Sequence, residues 1–270
     1  DVYKRQLARR SKGDLDGAIA DFDSALKLNP RSAFAFNNRG FTWREKGNPQ
    51  RALSDLDKAI QLKPTYHQAF NARGLVHRDL GDTAKALSDF DQAIRIDAAY
   101  AQAYVNRALL LSDQGDRDRA ILDFSEALRL NPHLPQAFNG RGIAKRRNGD
   151  MDGAIADFTA TLSVMPTYPL AQLNRALAHR AKGQNDKALA DLDQVVARPG
   201  ATADAYLLRA ALLRGKGDYK RAIEDYEMAL RVDANNAQAK RELETVRKAM
   251  AVAAASPGGR IVMPDPEPID

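Results

Sequence analysis

One period governs this 270-residue chain: the same residue types return every 34 positions. With Ala33 as position 1, later repeats begin at His67, Ala101, Pro135, Pro169 and Ala203. Position 15 is then glycine throughout, at Gly47, Gly81, Gly115, Gly149, Gly183 and Gly217, with Gly13 in an incomplete first repeat. Position 20 is Ala18, Ala52, Ala86, Ala120, Ala154, Ala188 and Ala222. Position 24 is Phe22, Leu56, Phe90, Phe124, Phe158, Leu192 and Tyr226. A chain built this way grows by stacking one supersecondary unit on the next, so its length does not translate into a number of globular domains.

Each repeat reads as two helices. The first fills positions 1–14, and glycine at position 15 suits the left-handed residue that ends a helix. Aspartate at position 16 (Asp14, Asp82, Asp116, Asp150, Asp218) caps the second helix or favours its N-terminal dipole. Positions 17, 20, 21, 24, 27 and 28 form an apolar helical stripe. Pro30, Pro64, Pro132 and Pro166 close the second helix, because proline cannot continue a helix interior. Small residues at position 8 (Gly40, Gly74, Ala108, Gly142, Ala176, Ala210) face alanine at position 20 and let the two helices approach closely.

The pattern resembles the tetratricopeptide repeat, with an aromatic at position 4 (Phe36, Phe70, Tyr104, Phe138, Tyr206) and alanine at position 27 (Ala25, Ala59, Ala93, Ala127, Ala229). The resemblance implies an all-α fold: a right-handed superhelical solenoid of about seven 34-residue hairpins with a C-terminal capping helix. It also implies first helices lining a concave groove, and protein–protein interaction in place of catalysis. The expected organisation is an array over 1–236 with its first unit incomplete, a capping helix over 237–254, and a disordered acidic, proline-rich tail over 255–270. Repeat six departs most from the pattern, with Gln172 at position 4, Val195 at position 27 and Arg198-Pro199-Gly200 in its closing turn.

Two arginine columns stand out. Position 7 is arginine in every repeat (Arg5, Arg39, Arg73, Arg107, Arg141, Arg175, Arg209), and position 23 is aspartate in every repeat (Asp21, Asp55, Asp89, Asp123, Asp157, Asp191, Asp225). The pairing predicts a structural ladder within or between repeats. Position 12 is Arg10, Arg44, Arg78, Arg146, Arg180 and Arg214, broken by Ser112, with no matching acidic column on the second helix. Beside it runs an apolar row at position 9, including Leu7, Phe41, Leu75, Leu109, Ile143 and Leu177. Asn37, Asn38, Asn71, Asn106, Asn139 and Asn174 form an amide row at positions 5 and 6. The resemblance places these rows in the groove, where amides satisfy strand donors and acceptors and arginine forks onto carboxylates or phosphates. The competing reading of position 12 is a solvated helix face, where arginine is simply a good helix former. Glu45, Asp79 and Asp113 at position 13 offset repeats two to four, whereas Arg147 and Ala181 stand there in repeats five and six. Positive potential is therefore expected to concentrate toward the C-terminal half. A carboxylate-clamp role of the kind some family members have is poorly matched, since position 2 holds Phe34, Gln68, Gln102, Gln136, Leu170 and Asp204 and no cation.

The expected partner is an extended acidic or phosphorylated segment of another protein. No cofactor or metal is expected: there is no cysteine, and the four histidines show no close ligand spacing. The net charge of +6 is interspersed, which argues only weakly for nucleic acid, and an RNA-binding helical repeat is the alternative. A further alternative is the interaction region of a longer protein, because the opening DVYKRQ lacks Met and reads as an incomplete or foreign N-terminus. No apolar run approaches the roughly 20 residues of a membrane span. The expected compartment is cytoplasmic, with a missing export signal as the alternative.

Overall fold

The computed structural model describes residues 13–255 and Ile261. The readings placed on Arg5, Leu7, Arg10 and residues 256–260 and 262–270 lie outside the described residues. Those described hold fourteen helices and no strand. Repeat one contributes α1 (Leu15–Leu28). Repeats two to four are the hairpins α2 (Ala33–Glu45) with α3 (Pro49–Leu62), α4 (His67–Asp79) with α5 (Thr83–Ile96), and α6 (Ala101–Asp113) with α7 (Arg117–Leu130). Repeat five supplies α8 (Pro135–Arg147) and α9 (Met151–Val164). Repeats six and seven are α10 (Pro169–Ala181) with α11 (Asn185–Val196), and α12 (Ala203–Gly215) with α13 (Tyr219–Val232); α14 (Ala237–Ala255) follows.

The chain divides into two compact bodies, one up to Asn148 and one from Gly149. In the first, α1 to α8 each pack on the next, and α2, α4, α6 and α8 also touch in succession, so the first helices form one layer. In the second, α9 to α14 each pack on the next.

Local chemistry sets these boundaries. All seven position-15 glycines sit at φ 71–86°, where a side chain would strain the backbone. Asp14, Asn48, Asp82, Asp116, Asp150 and Asp218 each accept the backbone N–H three residues on, capping the second helices. The position-20 alanines are all fully buried, and no position-24 residue is more than 2% exposed. The close approach is real: a Cβ on Gly74 would lie 2.7 Å from the Phe90 ring and 3.2 Å from the Ala86 carbonyl. Thr161, which replaces alanine at position 27 of repeat five, is also fully buried and returns its hydroxyl to the Asp157 carbonyl.

Repeat six lacks several of these supports. Gln184 makes no side-chain cap for α11, and its Oε1 meets His179 Nδ1 instead. Gln172, in place of the aromatic, is 3% exposed; its Nε2 donates to Gln194 but its Oε1 has no hydrogen-bond partner among the described residues. A buried acceptor left unsatisfied costs roughly 1–3 kcal/mol. Amides of 169–202 are therefore expected to exchange with deuterium faster than those of repeats three and four. Equal protection across these repeats would contradict this.

Candidate functional site

The position-7 arginines are framework. In repeats two, three, four, six and seven the Nε and Nη2 of arginine fork onto the aspartate 16 residues ahead, as in Arg107–Asp123 at 2.7 Å for both bonds. The third nitrogen, Nη1, reaches back 16 residues into the preceding repeat: Arg39 to Asp23, Arg73 to Asp57, Arg107 to Asp91 and Arg209 to Asp193. Arg141 and Arg175 use Ser125 and Thr159 for that bond. The guanidinium also stacks near the position-4 ring in Arg39–Phe36, Arg73–Phe70, Arg107–Tyr104 and Arg141–Phe138, at 5.5–5.8 Å. Only arginine supplies a planar fork, a third donor and a stacking face together. The hydrogen bonds to Asp123 and then Asp91 push the Arg107 guanidinium pKa up against the opposing effect of burial.

The position-12 row splits. Arg44 Nε donates to Asp79 of the next repeat at 2.5 Å, and Arg78 makes only a 3.4 Å contact with that same Asp79. Arg214 is a correction to the groove reading. It is 5% exposed and ion-paired with Glu242 of α14, so it fastens the terminal helix and offers nothing to a partner. Arg146 differs from both. It is half-buried, its Nε is buried without a hydrogen bond, and it makes no ion pair among the described residues. Burial first, and then Arg147, pulls its pKa down from the arginine range. Arg147 is exposed and Arg180 half-buried, and neither makes an ion pair among the described residues.

The amide row is also corrected in part. Asn71 and Asn106 are buried and bonded to each other across α4 and α6 at 2.8 Å, with Gln102 donating to Asn106. Asn37 and Asn139 are buried as well, each with an Oδ1 that has no hydrogen-bond partner among the described residues. Asn38 donates to the Phe34 carbonyl, while Asn174 is half-buried. Phe41, Ile143 and Leu177 are half-buried and keep apolar surface toward solvent, whereas Leu75 is only 9% exposed. Most of the asparagines thus serve packing between helices, because position 5 turns inward at Asn37, Asn71 and Asn139 and position 6 does so at Asn106.

Sequence reasoning missed three features. The acids at position 25 (Asp23, Asp57, Asp91, Asp193) that complete the ladder were visible 16 residues before four of the position-7 arginines, with Ser125 and Thr159 in that column before Arg141 and Arg175. A second ladder joins position 14 to position 18 of the preceding repeat: Lys46–Asp16, Asn148–Asp118, Lys182–Asp152 and Lys216–Asp186. These pairs are exposed and contribute at most about 1 kcal/mol each. The third is Glu242, a single residue outside the repeat register whose buried pairing with Arg214 no column of the sequence announces.

Tyr226 lies beside that buried pair. Burial and then the Glu242 carboxylate raise its phenol to about 12 from about 10, with Arg214 offsetting part of the shift. A folded pKa above the unfolded one gives stability that is complete below pH 10 and lost as pH rises to 12. The loss should be about 3 kcal/mol. Chemical unfolding of the wild type and Tyr226→Phe between pH 9 and 12 reads it: the variant should lack this part of the slope, and parallel curves would refute the assignment.

The histidines do not converge. His67 packs on the Tyr100 ring at 4.7 Å, His77 lies 3.9 Å from Asp89, and His179 meets Gln184. No group of three potential metal ligands occurs among the described residues. No described helix is long and apolar enough to cross a membrane.

Sequence profiles described as "Tetratricopeptide repeat" match residues 42–103, 71–135, 105–169, 170–200 and 203–236, and one described as "TPR repeat" matches 7–47. The chain belongs to the tetratricopeptide repeat family. No curated protein matches it. Among solved structures, a tetratricopeptide repeat protein from Parabacteroides merdae is similar at 24% identity and a TM-score of 0.61, covering 91% of this chain and 97% of that one. Pseudomonas aeruginosa pilF gives 20% identity and a TM-score of 0.71, covering 78% and 96%. YrrB, described as a TPR protein with an unusual peptide-binding site, gives 20% identity and a TM-score of 0.54, covering 76% and 97%. These likenesses establish the tetratricopeptide fold, and family membership supports a protein–protein interaction scaffold.

Proposed function

We propose that this tetratricopeptide array binds extended acidic or phosphorylated segments of another protein on exposed faces of its first helices, within each body by itself. Arg146 and Arg147 of α8 are the main charge contacts in the first body, and Arg180 of α10 is the contact in the second. The observation that carries the reading is Arg146, a half-buried guanidinium with an unpaired Nε and no ion-pair partner among the described residues. A structural arginine in this chain is given carboxylates, as the position-7 column shows. One held partly out of water without them gains most from a ligand that brings a carboxylate or phosphate. Ile143 and Leu177, one position-9 residue on each of the same helices, supply apolar contact that exposed charge alone cannot replace. YrrB's described peptide site is consistent with a peptide as the ligand class.

Reversal of Arg146 and Arg180 to glutamate tests this. Capture of the natural partner in pull-downs should be lost while circular dichroism shows unchanged helix content, and binding to the unaltered chain should weaken as salt rises. An unchanged capture profile would remove the arginine row from the binding surface.

A further inference from the structure

Position 34 is bulky in repeats two to five, at Tyr66, Tyr100, Leu134 and Tyr168. In repeats two to four its side chain packs at the end of its own hairpin. Tyr66 is 9% exposed and clusters with Ala33 at position 1, Ala59 at position 27 and Ala69 of the next first helix. Tyr100 repeats the contact with position 1 through the His67 ring. In repeat six this position is Thr202, which turns its hydroxyl to the Ala205 N–H and caps α12. The plug is gone, and a pocket of about 80 Å³ stands in the corresponding place. Its lining includes Pro169 at position 1, Leu170, Leu173, Val195 at position 27, Arg198 and Thr202. The space exceeds the roughly 30 Å³ of a water and falls short of the ~150 Å³ cavity that admits benzene. That is the room of one aliphatic side chain, the kind Leu134 supplies in repeat four.

Arg198 gives the pocket a second property. Its Nη1 is buried without a hydrogen bond, and its side chain makes no ion pair among the described residues. Leu170, at 59% exposure, extends the apolar surface outward from the lining.

We propose that this repeat-six pocket is a docking site for a branched aliphatic side chain, leucine- or isoleucine-like, that a partner protein presents next to a carboxylate. The aliphatic group replaces the missing position-34 plug, and the carboxylate pairs with Arg198. The site does not depend on the position-12 arginine row, and its test leaves Arg146 and Arg180 untouched.

The probe is 4-methylpentanoate, a leucine side chain carrying a carboxylate, followed by methyl NMR of the full chain. The expected result is saturable shifts at the Leu173 and Val195 methyls. Binding should weaken about tenfold or more with 4-methylpentanamide or in Arg198→Gln, the loss of one charge-assisted hydrogen bond. Thr202→Leu should restore the plug and abolish the shifts with helix content unchanged. Equal shifts with acetate, no saturation, or retained binding in Thr202→Leu would each overturn the proposal. So would shifts at these methyls without probe on deleting residues 256–270, which would make the chain's own C-terminal segment the occupant. Dilution-dependent shifts would assign the pocket to a second copy and equally refute it.

Discussion

Arg107→Ala should lower the unfolding free energy by about 3 kcal/mol, at the lower end of the ~3–5 found when one partner of a buried ion pair is removed. The substitution strands Asp123, whose side chain is 11% exposed, and releases Asp91 of the preceding repeat. Water reaches Asp91, at 40% exposure, which is why the upper end of the range is not expected. The pair itself need not stabilise greatly over an apolar substitute; the cost lies in the abandoned carboxylate. Arg107→Lys should recover little, because one ammonium cannot make the fork and the third bond together. Adding Asp123→Asn to Arg107→Ala should restore part of the loss by removing the buried charge. Arg78→Ala is the comparison, with a cost within about 0.5 kcal/mol because its contact with Asp79 is 3.4 Å long and exposed. Equal small losses for Arg107→Ala and Arg78→Ala in denaturant unfolding would show that the ladder is not framework.

Glu242→Ala should be comparably severe, at about 3–5 kcal/mol, because it leaves Arg214 charged at 4% side-chain exposure. The damage should begin at the C-terminal end, where α14 covers α13. An array whose end helix detaches loses a neighbour term and exposes the apolar face beneath. Hydrogen exchange should therefore rise first in 219–255. The paired change Arg214→Met with Glu242→Leu should be near neutral, since matched apolar groups remove both desolvation penalties. Glu244→Ala, two residues away with a 65%-exposed side chain, is the control and should cost little. If Glu242→Ala behaves like Glu244→Ala, the buried pair does not hold the terminal helix.

Repetition made the fold legible in the sequence by itself. Gly47 and its equivalents ended first helices, Asp82 and its equivalents capped second ones, and Ala86 and its equivalents marked the tightest contact. Each signal was local or recurred in register, so averaging over seven copies separated it from noise. The arginine–aspartate ladder was legible for the same reason, although its second acid, 16 residues back, was read only once the hairpins were stacked. Tertiary structure decided the fate of individual residues within a column. Arg44, Arg146 and Arg214 share one register position, yet one pairs with the first helix of the next repeat, one has no ion-pair partner among the described residues and one is buried under α14. Those fates depend on what the neighbouring helix presents, at separations of 28 residues or more, as Arg214 and Glu242 illustrate. The asparagines likewise looked alike in sequence, and only packing of α4 on α6 turned Asn71 and Asn106 toward each other. Nothing in the sequence singles out Thr202, whose capping of α12 is a structural finding. The space it leaves is a property of the side chains around it, which no single strip of sequence contains.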